Sequence, residues 1–206
     1  MGLYSKYIFP RLLDRSLGTG AHQRERREAL ASARGHALEI GFGTGLNLPH
    51  YPPPVYRLTA IEPERMLEGR VAKRIAHARM PVELRRLDAT GRLPFDDDTF
   101  DTVVTTWTLC SIEDVAPALS EIRRVLKPEG RYLFFEHGRS EEASVARRQD
   151  LFNPVHKLLA GGCSLNRPID RLIRSGGLNV IKLERYRMPE LPKGFGEMYR
   201  GVALKN

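Results

Sequence analysis

The stretch LEIGFGTGLNLPHYP at residues 38–52 decides the fold of this chain. Its apolar first part ends at Glu39 and Ile40, and three glycines then follow on alternate positions. The pattern predicts a buried strand that turns sharply into a helix, because glycine backbone carries no side chain and lets a ligand approach closely. A nicotinamide dinucleotide fingerprint would need one more glycine, at the position of Leu46. The stretch therefore predicts a glycine turn that a ligand can approach closely, but not one that binds a nicotinamide dinucleotide.

Strand and helix patterns alternate through the rest of the chain. Strands are predicted at 36–41, 56–62, 82–88, 100–107, 131–137, 179–187 and 195–204, with late helices at 141–160 and 168–174. This alternation predicts an α/β fold, a doubly wound Rossmann-like sheet that is mostly parallel with an antiparallel C-terminal strand and has helices on both faces. We expect one domain over 1–206, in which 1–35 form an N-terminal helical cap and 36–206 the core.

Composition and cysteine content narrow the class of protein. The 206 residues are 41% hydrophobic and 28% charged, which is typical of a soluble globular protein. Neither a secretory signal peptide nor an apolar run of about 20 residues is apparent, so a cytoplasmic location is expected. Cys110 and Cys163 lie far apart in the chain and form no C-x-x-C pair. They predict no disulfide framework and no metal site.

The net charge of +8 is partly concentrated in the first 35 residues. Their arginines are interpreted as a solvated helical face, and no aromatic residues alternate with them as stacking on bases would require. A nucleic-acid partner is therefore not favoured. A peripheral membrane contact through residues 8–13 stays open, although packing over the pocket as a lid is preferred. The arginines concerned are Arg11, Arg15, Arg24, Arg26, Arg27 and Arg34.

Two acidic residues fall at the predicted carboxyl ends of strands. Glu62 closes the second strand about twenty residues beyond the glycines, and Asp88 closes the third. Ligands of such sheets bind beyond the carboxyl ends of the strands. A carboxylate at Glu62 is suited to the hydroxyls of a ribose, and one at Asp88 to an adenine amino group. Together with the glycine turn, these acids predict a nucleoside-binding site.

Two further segments carry a family resemblance. LDATGRLPFDDDTFDTVV at 87–104 and EIRRVLKPEGRYLFFEH at 121–137 are similar to motifs of the ubiquinone-biosynthesis-type methyltransferases. The glycine stretch resembles motif I of the class I S-adenosylmethionine-dependent methyltransferases, to which that group belongs. The likeness runs from about residue 36 to 138. It departs from the family pattern at Leu87 and at Glu129.

The resemblance implies S-adenosylmethionine as cofactor and methyl donor, with S-adenosylhomocysteine as product. A cationic donor suits an acidic, lysine-free pocket. Carried over by position, the cofactor-binding residues are Glu39, Gly41, Gly43, Gly45 and Asn47 for the methionine part, Glu62 for the ribose, Pro63, Met66, Asp88 and Ala89 for the adenine, and Thr106 and Trp107 to close the site.

The C-terminal part carries a second resemblance. QDLFNPVHKLLAGGCSLNRPIDRLI at 149–173 resembles the methyltransferase-like thiol methyltransferases of animals. This implies a small, largely apolar acceptor, with a thiol among the candidates. His137 is the candidate catalytic residue, since an imidazole can take a proton near neutral pH. The candidate substrate residues are Cys110, His156, Cys163 and Asn166.

Alternative functions remain open at this point. A quinone ring or a phospholipid amine could be the acceptor. A basic RNA- or membrane-binding module with a vestigial pocket is a second alternative, although the acids Glu39, Glu62 and Asp88 argue against decay of the pocket. A nucleic-acid amino methyltransferase would carry a [D/N/S]-P-P-aromatic motif after strand four, where this chain has TTWTLCS.

Overall fold

The computed structural model describes residues 9–205; the first eight residues of the predicted cap, with Ile8 of the segment 8–13, lie outside the described residues. In this range no helix is both long enough and apolar enough to cross a bilayer. The elements are α1 (Phe9–Leu17), α2 (Gly20–Leu30), β1 (Gly35–Ile40), a 3-10 turn (Leu48–His50), β2 (Val55–Ile61), α3 (Glu68–Ala76), β3 (Val82–Arg85), β4 (Phe100–Thr106), α4 (Val115–Val125), β5 (Leu126–His137), α5 (Ala143–Leu159), α6 (Ile169–Ser175), β6 (Leu178–Arg187) and β7 (Glu197–Lys205).

The described strands form a single seven-stranded sheet in the order β3-β2-β1-β4-β5-β7-β6. β1 pairs in parallel with both β2 and β4, whereas β7 runs antiparallel between β5 and β6. The predicted fold class is confirmed, including the antiparallel C-terminal strand. Strand order reverses between β1 and β4, and a crevice opens at such a switch point beyond the strand ends.

Both faces of the sheet are covered, which explains why β1 is buried over its last four residues. On one face Leu38 and Phe134 pack in a cluster with Ile122 of α4 and Ile173 of α6. On the other face a second cluster joins Ala37, Leu58 and Val104 to Leu30 of α2 and Val71 of α3. Because these clusters hold β1 from both sides, its carboxyl end is a fixed platform for the glycine turn.

The glycine turn leads into only three residues of 3-10 helix, Leu48–His50, where the sequence pattern predicts the start of a helix. That prediction is wrong, and Pro49 and the prolines at 52–54 explain it. Proline lacks the backbone N–H that continues an α-helix. The third strand is also shorter than predicted, so Asp88 lies in the loop three residues beyond its end.

The cap formed by α1 and α2 is tied to the core by ion pairs. Asp14 of α1 accepts hydrogen bonds from the guanidinium groups of Arg70 and Arg74 and from the hydroxyl of Thr44 in the glycine turn. Glu25 of α2 pairs with Arg200 of β7 at 2.8 Å. The cap therefore contacts both the first turn of the core and its last strand.

Candidate active site

A cavity of about 660 Å³ opens at the carboxyl ends of β1, β2 and β4. Its volume lies within the range of about 300–1,000 Å³ found for small-molecule sites. Most of the residues predicted from sequence line it: Glu39, Gly41, Gly43, Glu62, Pro63, Met66, Asp88, Ala89, Thr106, Trp107, Cys110, His156 and Cys163. The structure therefore brings the donor candidates and three of the acceptor candidates to one cavity.

Gly41 follows directly on β1 and has a φ of +76°, in the left-handed region that favours glycine. A Cβ atom at this position would lie 2.2 Å from the hydroxyl oxygen of Thr108. Thr108 in turn donates to the carbonyl oxygen of Ile40 at 3.1 Å. The first glycine is therefore required by the close approach of the loop that follows β4.

Glu39 lies at the centre of a buried hydrogen-bond network. Its two carboxylate oxygens accept from Asn47 Nδ2 at 2.9 Å and from the Tyr51 hydroxyl at 2.8 Å. Burial raises the pKa of Glu39 to about 7, against the effect of these two hydrogen bonds. The side chain lines the cavity and is already desolvated by the protein. A cationic ligand group can therefore bind this carboxylate without a further cost of removing water from it.

Arg26 of α2 reaches into the same network from the cap. Its Nη1 donates to Asn47 Oδ1 at 2.8 Å and to Thr106 Oγ1 at 3.0 Å. The residue is 3% exposed, and burial lowers the pKa of its guanidinium to about 10. One amide side chain, that of Asn47, thus bridges the guanidinium of Arg26 and the carboxylate of Glu39. Among residues 9–205 no lysine lines the cavity, but one of the arginines interpreted as solvated, Arg26, lines its wall.

Glu62 and Asp88 each accept hydrogen bonds from backbone N–H groups, which use part of the capacity of their carboxylates. Glu62 Oε2 accepts from the Gly43 N–H at 2.8 Å, and Oε1 accepts from the Glu64 N–H at 3.2 Å. Asp88 Oδ1 accepts from the Thr90 N–H at 2.9 Å. A carboxylate has about four lone-pair positions, so both side chains retain capacity for hydroxyl or amino donors in the cavity they line.

Trp107 forms the wall between the cavity and the interior. Its φ of +56° is unusual for a bulky residue, and such backbone outliers cluster at functional sites. The indole ring stacks on the imidazole of His137 with centroids 5.9 Å apart and packs against His22 at 5.5 Å. His137 is 2% exposed and is not part of the cavity lining. The candidate catalytic histidine therefore reaches the cavity only through a neighbouring side chain.

That neighbour is Cys163, whose Sγ lies 3.8 Å from His137 Nδ1. Cys163, Cys110 and His156 line one end of the cavity, which we call the thiol corner. A hydrogen bond from the Cys110 thiol, followed by bonds from His137 and His156, lowers the pKa of the Cys163 thiol despite its burial. Within residues 9–205, no group of three or more His, Cys, Asp or Glu side chains is placed to hold a metal ion.

Three other candidates lie outside the cavity wall. Asn166 Nδ2 donates to Asp150 Oδ1 at 2.8 Å in an exposed setting. Gly45 and Asn47 support the site from behind the wall, Gly45 through a turn with φ of +81° and Asn47 through the network around Glu39.

Sequence reasoning missed Glu136, which precedes His137 at the end of β5. Its Oε2 accepts from the Thr108 N–H at 2.9 Å, and burial raises the pKa of this carboxyl to about 7. It fixes the loop after β4, which carries both Trp107 and Cys110. The signal was a glutamate directly after the buried apolar run at 132–135, since glutamate is seldom fully buried.

The cavity fits S-adenosylmethionine on three observations. The glycine turn lines it with backbone bare of side chains, the carboxylates of Glu39, Glu62 and Asp88 all line it, and the buried Nε of Arg26 has no hydrogen-bond partner. Carboxylates suit an ammonium group, ribose hydroxyls and an adenine amino group. A guanidinium beside them suits the carboxylate of a methionine moiety.

Comparisons with known proteins agree with this site. The methyltransferase-domain family matches residues 38–134. Thiol S-methyltransferase TMT1B of Homo sapiens is 33% identical over 178 residues, which cover 85% of this chain and 72% of that protein. Ubiquinone/menaquinone biosynthesis C-methyltransferase UbiE of Geobacter sulfurreducens is 33% identical over 63% of this chain and 54% of that protein.

A solved structure extends the agreement to the whole fold. The 1,6-didemethyltoxoflavin-N1-methyltransferase of Burkholderia thailandensis, with bound S-adenosylhomocysteine, matches with a TM-score of 0.70 at 15% identity, over 99% of this chain and 88% of that one. A Rossmann-like sheet with a glycine turn and acids at its strand ends defines the class of S-adenosylmethionine-dependent methyltransferases. The chain belongs to this family: it is an enzyme that takes its methyl group from S-adenosylmethionine. The thiol S-methyltransferases are among its relatives.

Proposed function

We propose that this enzyme is a thiol S-methyltransferase for small, largely apolar thiols. The observation that carries the proposal is the thiol corner, where Cys110, Cys163 and His156 line the cavity that the donor site also lines. Sulfur and imidazole offer a polarizable, weakly hydrogen-bonding surface that suits a thiol better than a strongly hydrated group. The 33% identity to a thiol S-methyltransferase supports the same acceptor class.

Apolar side chains complete the proposed acceptor space. Leu13 and Leu17 of α1 and Ile112 of the loop after β4 line the cavity together with the thiol corner. Contact with these groups removes apolar surface of the acceptor from water. This burial stabilises the bound acceptor by about 25 cal/mol per Å² of apolar surface. An uncharged acceptor with a short hydrocarbon part therefore fits this wall better than a charged one.

When bound, S-adenosylmethionine supplies an electrophilic methyl group on a cationic sulfonium, whose thioether leaves without protonation. The chain contributes position and an apolar setting. Glu39 and Glu62 hold the donor end, and the cap excludes water over the cavity. Trp107 lines the cavity between the interior and the space for the ligands.

A thiol acceptor must also lose its proton. At pH 7 a thiol with a pKa of about 8.5 is only a few per cent thiolate. His156 lines the cavity beside Cys163, and its imidazole is the group we assign to receive the acceptor's proton. His137 then acts as a positioning residue that holds Cys163 from behind.

The test uses purified enzyme, S-adenosylmethionine and matched acceptors: hexanethiol, hexanol and a short-chain quinol. We expect S-methyl hexyl sulfide, detected by mass spectrometry, at a rate at least about a hundredfold above methylation of the alcohol. The Gly41→Ala variant, with a damaged donor site, is the matched blank. Methylation of the quinol without methylation of the thiol would overturn the proposal and favour the quinone-ring alternative.

A further inference from the structure

Cys110 and Cys163 form a dithiol site inside the cavity. The Ser164 N–H donates to the carbonyl oxygen of Cys110 at 2.7 Å, so the two backbone segments lie side by side at hydrogen-bonding distance. The two thiols are close enough for each to shift the pKa of the other, and both cysteines are free. A disulfide requires Cα atoms about 4.4–6.8 Å apart, and the bond from Ser164 to Cys110 places the backbones of the two cysteines next to each other.

The two thiols have different chemical surroundings. His137 Nδ1 lies 3.8 Å from Cys163 Sγ, and the interactions with Cys110, His137 and His156 lower the pKa of the Cys163 thiol. The interaction with Cys163 and burial raise the pKa of the Cys110 thiol. The thiolate is the nucleophile toward oxidants, so Cys163 is suited to react first and Cys110 to resolve the product.

Cys163 also has access and freedom to move. Both cysteines line the cavity, which a small oxidant can enter, but Cys163 is partly exposed whereas Cys110 is 1% exposed. Gly161 and Gly162 precede it with positive φ values of 59° and 91°. A turn of two glycines allows the small backbone shift that bond formation needs.

We propose that Cys110 and Cys163 form a reversible disulfide when a hydroperoxide enters the cavity, and that this bond closes the acceptor end while the donor end stays competent. The Cys163 thiolate attacks the terminal OH oxygen of the hydroperoxide and the O–O bond breaks. Hydroxide leaves from hydrogen peroxide, or alkoxide from an alkyl hydroperoxide, and Cys163 becomes a sulfenic acid. The Cys110 sulfur then attacks that sulfur, the S–O bond breaks, and the proton of Cys110 leaves with the hydroxide as water. Both cysteine sulfurs are oxidised, and the peroxide is reduced to two molecules of water or, for an alkyl hydroperoxide, to water and an alcohol.

The bond itself does not depend on the thiol acceptor proposed above, but its effect on turnover does. The test therefore has two readouts. Reduced enzyme is treated with hydrogen peroxide, its remaining thiols are alkylated, and the peptides are mapped by mass spectrometry. We expect one Cys110–Cys163 disulfide that dithiothreitol removes, and calorimetry should give the same S-adenosylmethionine affinity before and after oxidation, within about twofold. Methylation of hexanethiol should fall at least tenfold and return on reduction.

Two variants assign the roles of the cysteines. In Cys110→Ser, Cys163 should stop at a sulfenic acid that dimedone labels. In Cys163→Ser, Cys110 should react with peroxide at least about tenfold more slowly than Cys163 does in the native enzyme. Donor affinity measured on each variant reports whether it is folded.

Separate oxidation of both cysteines without a cross-link, or no oxidation at all, would overturn the disulfide. A disulfide that leaves hexanethiol turnover intact would overturn the closure. If the reduced enzyme methylates no thiol, the function proposed above is wrong. The disulfide is then decided by the peptide mapping alone, which does not depend on thiol turnover.

Discussion

The two ends of the cavity are built in different ways. The donor end comes largely from short motifs at successive strand ends, as where Glu62 accepts from the Gly43 N–H. The acceptor end comes from segments far apart in sequence, with Cys110 after β4 and Cys163 after α5. Local chain geometry therefore places most of the donor end, whereas the packing of distant segments places the acceptor end. Substitutions should separate the two in binding experiments.

The largest effect is expected from Gly41→Ala at the donor end. A methyl group there meets Thr108 at 2.2 Å and forces an L-residue into a φ of +76°. We expect S-adenosylmethionine affinity to fall at least about a hundredfold in calorimetry, because the turn must rebuild. Gly69→Ala in α3 is the matched control, since its Cβ meets nothing within 4 Å. Equal donor affinity in the two variants would contradict the fixed geometry of the turn.

The second prediction concerns pH and the buried Glu39. Its folded pKa of about 7 lies above the value of 4.5 expected when unfolded, so between these values the folded state binds more protons than the unfolded state. The donor-free enzyme should therefore lose stability as pH rises through this window. Relative to wild type, Glu39→Gln should gain about 2–3 kcal/mol in free energy of unfolding between pH 5 and pH 8.

Urea denaturation of both proteins at each pH measures that difference. Glu136 also has a raised pKa, but it is present in both proteins and cancels in the comparison. A difference that does not change with pH would mean that Glu39 is ionised at pH 5 in the folded enzyme.

The third prediction removes hydrogen-bonding capacity from Glu62. Glu62→Gln keeps the size of the side chain but turns one acceptor oxygen into a donor, facing either the Gly43 N–H or the ribose hydroxyls. Affinity for S-adenosylmethionine should fall about tenfold to a hundredfold, the loss expected for unpaired buried polar groups. At saturating S-adenosylmethionine the KM for hexanethiol should stay within about twofold of the wild-type value. A large rise in that KM would mean that Glu62 also contributes to the acceptor end.

The fourth prediction addresses the acceptor end. His156→Ala should lower the rate of hexanethiol methylation about tenfold to a hundredfold, as loss of a proton acceptor does. The loss should shrink as pH approaches the pKa of the thiol, and calorimetric donor affinity should stay unchanged. A weaker donor affinity would place His156 at the wrong end of the cavity.

The smallest effect is expected from Asn166→Ala. This side chain bonds Asp150 outside the cavity, at a place partly open to water. Turnover and donor affinity should both stay within about twofold of wild type, as for most surface substitutions. A tenfold loss of thiol turnover with unchanged donor affinity would return Asn166 to the acceptor site.

The sequence predicted most of the residues that line the donor end of the cavity, because strand ends and glycine turns are local patterns. It missed Arg26, which sits in the charged run RERRE and resembles its solvated neighbours. Only helical phase distinguishes Arg26, since His22, Arg26, Ala29 and Leu30 share the buried face of α2. The meeting of Cys110 with Cys163 depends on how the loop after β4 and the turn after α5 pack, and no local pattern encodes that.

The ion pair between Glu25 and Arg200 has a consequence for the order in which the enzyme folds. It joins α2, the helix that carries Arg26, to β7 across a separation of 175 positions in the chain. Contacts between such distant segments form late, because closing a long loop costs entropy before the contact returns any energy. The glycine turn and the acids at the strand ends should therefore form before α2 is fixed over the donor site that Arg26 lines.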